Sequence, residues 1–286
     1  MKKDYEKLEK ELLYKRKNGI DTMTKKEIKT AFAFCEDYKK YLDASKTERE
    51  AVATSLAMAK KAGYVEWDGK APKAGDRIYF VNRNKSIILA KIGSEPLEKG
   101  INFSIAHIDS PRLDLKPNPL YEVEHMAYLD THYYGGIKKY QWVTLPLALH
   151  GTVVKTDGTS VDIVVGEDNS DPVFYITDLL PHLGGEQMKK TLGEGISGES
   201  LNVLIGTMPV DDEKVANGVK LYALQLLNER YGITEADFMS AELTFVPAGA
   251  ARDIGFDRSL IASYGHDDRV CAYPSLKALF DCGDIE

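Results

Sequence analysis

Two short phrases of this sequence carry side chains that bind metals: Ala106-His107-Ile108-Asp109-Ser110-Pro111 and Gly265-His266-Asp267-Asp268-Arg269. A neutral imidazole is a good ligand for divalent zinc, cobalt or manganese. A ligating histidine commonly donates its other ring N–H to a carboxylate or carbonyl, which fixes its tautomer. Asp109, two residues beyond His107, points to the same side at a strand exit and can orient that ring. Asp267 and Asp268 are adjacent carboxylates that repel each other and need a positive charge nearby. One carboxylate can bridge two cations about 3.5–4 Å apart, the arrangement of two-metal hydrolases. Each phrase alone has a plain structural reading, a histidine at a strand end and an aspartate capping the next helix. Taken together they favour metal.

These side chains need elements to position them. Residues 101–106 read as a short apolar strand running into His107, and residues 269–280 as a helix following the two aspartates. Pro274 belongs in a first helical turn, so that helix is expected to begin near Ala272. In an open α/β sheet, binding groups collect at the C-terminal ends of strands; His107 and Asp267 both fit that placement. Upstream, residues 4–20 read as an amphipathic helix with Tyr5, Leu8, Leu12 and Leu13 on one face and Gly19 as its stop. Residues 26–43 form a second helix, with Ile28, Ala31, Phe32 and Cys35 inward. A third is N-capped by Thr47, with Glu50 three residues on to complete a capping box, and stops at Gly63. Residues 77–81 and 86–92 flank Asn82-Arg83-Asn84-Lys85 as a hairpin.

From 117 to 247 the pattern changes to strands punctuated by Pro and Gly. Residues 143–149 and 151–154 read as one pair, and 161–165 and 201–205 as further strands. A helix spans 217–230, a mobile loop 184–200, and a strand at 240–246 leads back to the first part. The fold class is α/β: residues 1–116 form the first part of one domain, 117–247 a β-rich insertion, and 248–286 the return.

Composition narrows the function classes. The chain has 286 residues, is 43% hydrophobic and 28% charged, and carries a net charge of −7. That charge favours neither nucleic acid nor an anionic membrane as partner. Residues 1–18 lack the apolar stretch of a signal peptide, and no window approaches a membrane span, so a cytoplasmic protein is expected. Cys35, Cys271 and Cys282 are too few and too scattered for a disulfide framework or a zinc knuckle. Cys271 has no histidine partner to activate it and reads as a buried thiol.

The run Ala106-His107-Ile108-Asp109-Ser110-Pro111-Arg112-Leu113-Asp114-Leu115-Lys116-Pro117 resembles the signature of the aspartyl aminopeptidase and vacuolar aminopeptidase I family, co-catalytic metallopeptidases. His132-Tyr133-Tyr134-Gly135-Gly136 is similar to that family's HxYGG loop. Trp142 with Leu147, Gly151 and Val153-Val154, then Ala241-Glu242-Leu243 to Gly249-Ala250, then Asp267-Asp268-Arg269, match further family segments in order. The resemblance implies a mixed-sheet zinc-peptidase-like catalytic domain interrupted by a β-rich dimerisation domain. It implies two divalent metal ions, zinc first, with cobalt or manganese as alternatives. His107 is then a terminal ligand of one metal and Asp267 the bridge between both, with a cis peptide to Asp268. Asp109 is the catalytic acidic residue that orients His107. His132 is lent to a neighbouring subunit's substrate site. Peptides are the substrates, cleaved at the N-terminal residue, and dimers build a homo-oligomeric tetrahedral shell.

Two departures stand against this pattern. Where the family carries an acidic-basic-acidic triplet, this chain reads Val143-Thr144-Leu145-Pro146, which weakens an expected preference for acidic N-terminal residues. The family's Glu-Glu pair, further acidic ligand and final histidine belong after the 269–280 helix and do not occur within the 286 residues. Glu286 is too close to that helix to serve as the general base, so a piece of a longer enzyme is expected. The alternative is a non-catalytic assembly or peptide-binding protein with an incomplete metal site.

Overall fold

The computed structural model describes residues 5–283 and 285. Asp4 and Glu286 lie outside that range. The expected N-terminal helix is two elements, α1 (Tyr5–Leu12) and a single turn, α2 (Gly19–Thr22). Neither has a buried residue. Gly19 opens the second turn, capped by the Asn18 side chain, and does not stop the first.

α3 (Lys25–Asp43) and α4 (Glu48–Lys61) each begin with a complete capping box, on Thr24 and Thr47 respectively. The face of α3 that packs is Tyr38, Tyr41 and Leu42, with Phe34 alongside; Ala31 and Phe32 are exposed. The aromatic residues win because they meet Tyr273 across the interface, with ring centroids 5.1–5.3 Å apart.

β1 (Val65–Glu66) runs parallel to β2 (Arg77–Asn82), which pairs antiparallel with β3 (Ser86–Lys91). The hairpin turn places Arg83 and Asn84 in left-handed conformation, φ 52° and 56°, which matches the twist of the flanking strands. α4 packs against β3. The segment 101–106 is not a strand. Its backbone pairs with no sheet among the described residues, and Ile101, Phe103 and Ile105 are 55%, 76% and 85% exposed. His107 therefore precedes a strand, β4 (Arg112–Val123), and does not terminate one.

The largest sheet takes its strands in the order β7 (Ser160–Val165), β6 (Leu147–Val154), β9 (Ala241–Pro247), β4 (Arg112–Val123), β5 (Met126–Tyr134) and β8 (Val203–Gly206), all antiparallel. β4 (Arg112–Val123) and β5 (Met126–Tyr134) form a long hairpin whose register shifts between Leu115 and Leu120. Pro117 and Pro119 lie inside that shift, where a missing N–H breaks the ladder. β6 (Leu147–Val154) is one continuous strand paired with β7 (Ser160–Val165), which corrects the reading of 143–149 and 151–154 as two strands. Gly151 is no turn. A Cβ there would collide with the carbonyl of Glu242 on the neighbouring strand, so glycine allows the close approach.

β8 (Val203–Gly206) and α5 (Gly218–Tyr231) follow, the helix packing on β5 and β4. The 184–200 segment is irregular, with two single 3₁₀ turns, and Ile196 within it is buried. β9 (Ala241–Pro247) sits between β6 and β4 in this sheet, so it completes the β-rich part and does not leave it. Leu113, Leu149, Phe245, Trp142 and Ile163 fill the core beneath. The hairpin β10 (Arg252–Ile254) and β11 (Leu260–Ala262) precedes α6 (His266–Asp281). Within α6, Asp267 and Asp268 have non-helical torsions, so the regular helix begins at Arg269, earlier than Ala272, and runs through Pro274. Cys271 is exposed, which corrects its reading as a buried thiol, because it lies on the face of α6 opposite Tyr273 and Leu276.

Candidate metal centre

The segment ahead of β4 and the start of α6 bring the two phrases together. His107 Nε2 lies 3.2 Å from Asp267 Oδ1 and 3.9 Å from Asp268 Oδ2. One ligand atom from each of the three residues falls within 4.8 Å of the others, the only such grouping of His, Cys, Asp and Glu among the described residues. On its other side, His107 Nδ1 is 3.1 Å from both Oδ1 and the backbone carbonyl of Asp109. With the proton on Nδ1, that nitrogen donates to Asp109 and the Nε2 lone pair faces the aspartates. One imidazole and two carboxylates suit a divalent zinc-like cation. The side chains of His107 and Asp267 are 51% and 74% exposed, which leaves coordination positions open.

Asp267 and Asp268 stand directly ahead of the regular helix that begins at Arg269, but no side-chain hydrogen bond caps the start of α6. The peptide bond between Asp267 and Asp268 is cis. Beneath it, the Ser110 hydroxyl donates to the Asp267 carbonyl, and Arg269 Nη1 donates to Ser110 Oγ at 2.8 Å. Arg269 is fully buried, and its Nη2 donates to the Lys46 carbonyl at 3.2 Å. Its guanidinium thus ties the loop before α4, the turn before β4 and the start of α6. His266 is engaged on both nitrogens, by the Tyr38 hydroxyl at 3.0 Å and the Ile261 carbonyl at 3.2 Å, and is not free to bind a cation.

Electrostatics follow the geometry. Burial works to raise the Asp109 carboxyl, but hydrogen bonds from Tyr134 and His107 outweigh it and hold the group below the ordinary aspartate value. Burial opposes charge on His107, yet its hydrogen bond to Asp109 and the negative charges of Asp109 and Asp268 raise it above the ordinary histidine value.

Of the four residues singled out from the sequence, the fold brings His107, Asp109 and Asp267 together and leaves His132 out. His132 is exposed on β5, opposite Asp114, with its ring stacked on Tyr133 at 5.3 Å. Sequence reasoning missed the supporting roles of Ser110, Arg269 and Tyr134. Ser110 and Arg269 stood inside the two phrases and carried a signal by adjacency.

Comparisons with known proteins bear on the chain as a whole. The family model described as aminopeptidase I zinc metalloprotease, M18, matches residues 41–285. A probable M18 family aminopeptidase 1 of Clostridium acetobutylicum is 51% identical over 276 residues, covering 95% of this chain and 59% of the relative. One from Thermotoga maritima is 46% identical over 268 residues, with 92% and 57% covered. The crystal structure of an M18 aminopeptidase from Thermotoga maritima superposes with a TM-score of 0.88 at 44% identity, covering 95% of this chain and 59% of that one. A dodecamer from S. cerevisiae shares the fold at a TM-score of 0.65 and 17% identity, with 87% and 58% covered. The chain spans about three-fifths of the length of the curated relatives it matches. It belongs to peptidase family M18, the aminopeptidase I zinc metalloproteases.

Proposed function

We propose that this chain supplies one wall of a two-metal aminopeptidase site acting on the N-terminal residue of peptides. The observation that carries the reading is the approach of His107 Nε2 to Asp267 and Asp268, with Asp109 holding the opposite ring nitrogen. His107 and Asp267 would hold divalent ions, zinc first, with Asp267 between two of them. Bound there, such ions supply an activated water and polarise a scissile carbonyl. Asp109 keeps the imidazole in the tautomer that leaves Nε2 bare. Ser110 and Arg269 fix the Asp267 backbone so that its carboxylate need not reorganise. His132, on the exposed end of β5, is read as a contributor to the substrate site of a neighbouring copy.

Self-assembly is part of the reading. Leu179, Leu180, Leu183, Met188 and Leu192 form an exposed apolar stretch on the β-rich part, the kind of surface that copies of a chain cover. We place the protein in a reducing cytoplasm, because its three cysteines are all free. No helix among the described residues is long and apolar enough to cross a membrane. The uncharged stretch Val143 to Pro146 gives no support to a strict acidic preference.

Titration calorimetry with zinc tests the centre directly. Saturable binding by the 286-residue chain, weakened by His107→Ala, is the expected result. Absence of zinc, cobalt and manganese binding by an assembled enzyme that includes this chain would overturn the reading. In an assembled enzyme that includes this chain, hydrolysis of aminoacyl nitroanilides should be lost with either His107→Ala or Asp267→Ala.

A further inference from the structure

The Asp109 carboxylate has two oxygens, and the two are used differently. Oδ1 faces His107 Nδ1 at 3.1 Å, while Oδ2 accepts the hydroxyl proton of Tyr134 at 2.7 Å. Tyr134 ends β5, directly opposite Arg112 at the start of β4. The Arg112 guanidinium lies 4.3 Å from the centre of the Tyr134 ring. Arg112 is itself fixed, donating to Glu48 at 3.0 Å and to Asp114 at 2.7 Å. A chain of contacts therefore runs from the rigid hairpin to the metal cluster: Arg112 to the Tyr134 ring, its hydroxyl to Asp109, Asp109 to His107, and His107 to Asp267. Without the hydroxyl, Asp109 χ2 is broad and the carboxylate is free to turn away from the imidazole.

We infer that Tyr134 is a positioning residue of the candidate metal centre, whose hydroxyl holds the Asp109 carboxylate against His107 Nδ1 and so keeps the ring turned with Nε2 toward Asp267. The inference rests on the metallopeptidase reading for its purpose and on Tyr134's own contacts for its geometry. Outer hydrogen-bond partners of this kind change metal affinity about 10–100-fold when removed. The Tyr134 hydroxyl stands one contact further out, so the lower end of that range, about 10-fold, is expected for Tyr134→Phe.

The test uses two readouts on the 286-residue chain and its Tyr134→Phe variant. One is the crystal structure of each metal-free protein, in which the separation of the Asp109 carboxylate from His107 Nδ1 is read directly. The other is zinc affinity by chelator competition. Wild type should keep the carboxylate within hydrogen-bond reach of Nδ1. In the variant the carboxylate should turn away and zinc should bind about 10-fold more weakly, with the melting temperature little changed. Tyr133→Leu, a neighbour that does not touch Asp109, controls for a loosened strand end. An unmoved carboxylate in Tyr134→Phe, or an equal displacement in Tyr133→Leu, overturns the inference. If wild type binds no zinc but the carboxylate still moves, the positioning role stands without the metal reading.

Discussion

Two imidazoles in this molecule sit among carboxylates, and they are used in opposite ways. His150, on β6, is buried. Its Nδ1 is 2.8 Å from Glu50 of α4 and its Nε2 is 3.0 Å from Glu167 beyond β7. The buried Lys46 ammonium lies 3.7 Å from Glu167 and donates to the Gly249 carbonyl. An imidazolium and an ammonium there meet two carboxylates, so charge is balanced and every nitrogen has a partner. His107 is exposed, one of its nitrogens is held, and the other faces two aspartates whose only ion pairs among the described residues run to that same ring. The first cluster is closed on itself and joins α4 to the large sheet. The second carries excess negative charge and an open face, and asks for a cation. Burial and the count of positive partners, not the presence of histidine beside carboxylate, separate the closed cluster from the open one.

The largest effect should come from His150→Leu. It leaves Glu50 and Glu167 facing each other without their shared partner, and a loss of about 3–5 kcal/mol in chemical denaturation is expected. A near-neutral result would mean that the two clusters do not differ as described. Asp267→Asn should act the other way round. Zinc affinity falls more than about 100-fold, beyond the loss of an outer partner, while stability stays within about 0.5 kcal/mol because the side chain is solvated. Titration and denaturation of the same variant measure both.

The smallest effect is a pH dependence that belongs to the closed cluster. Burial opposes charge on His150, but its bonds to Glu167 and Glu50 overcome that and raise it. Its contribution is complete below the unfolded value of about 6.5 and is lost as pH rises through the higher folded value. Glu50 and Glu167 are held low by His150 against the effect of burial, so their contribution fades only as pH falls through those lowered values. Wild type should therefore lose about 2–4 °C of melting temperature on the alkaline side. His150→Gln should lack that limb, and a parallel decline in the variant would assign it to other groups.

Local signals in the sequence were reliable where the physics is local. The Thr47–Glu50 box, the turn at Arg83-Asn84 and the helix at 218–231 each depend on neighbours in the chain. Residues 101–106 have the composition of a strand, but a strand needs a paired edge, and none is supplied among the described residues. Gly151 has the look of a turn, and only the backbone of Glu242, on a strand about 90 residues away, explains it. The candidate centre divides along the same line. His107, Asp109 and Asp267 were legible because each stands in a compact phrase. Tyr134 was not, since 25 residues and a strand register separate it from Asp109.

The buried guanidinium of Arg269 has a consequence for the order of assembly. Its bond to the Lys46 carbonyl closes a loop of 223 residues and its bond to Ser110 one of 159. Closures that long are entropically costly and come after hairpins and helices have settled. A chain emerging from the ribosome can complete its large sheet once β9 is made, whereas the corner proposed to bind cations must wait until α6 has been synthesised. On the proposed reading, competence to bind metal is thus a late event in the life of the polypeptide, and a marker that segments far apart along it have met.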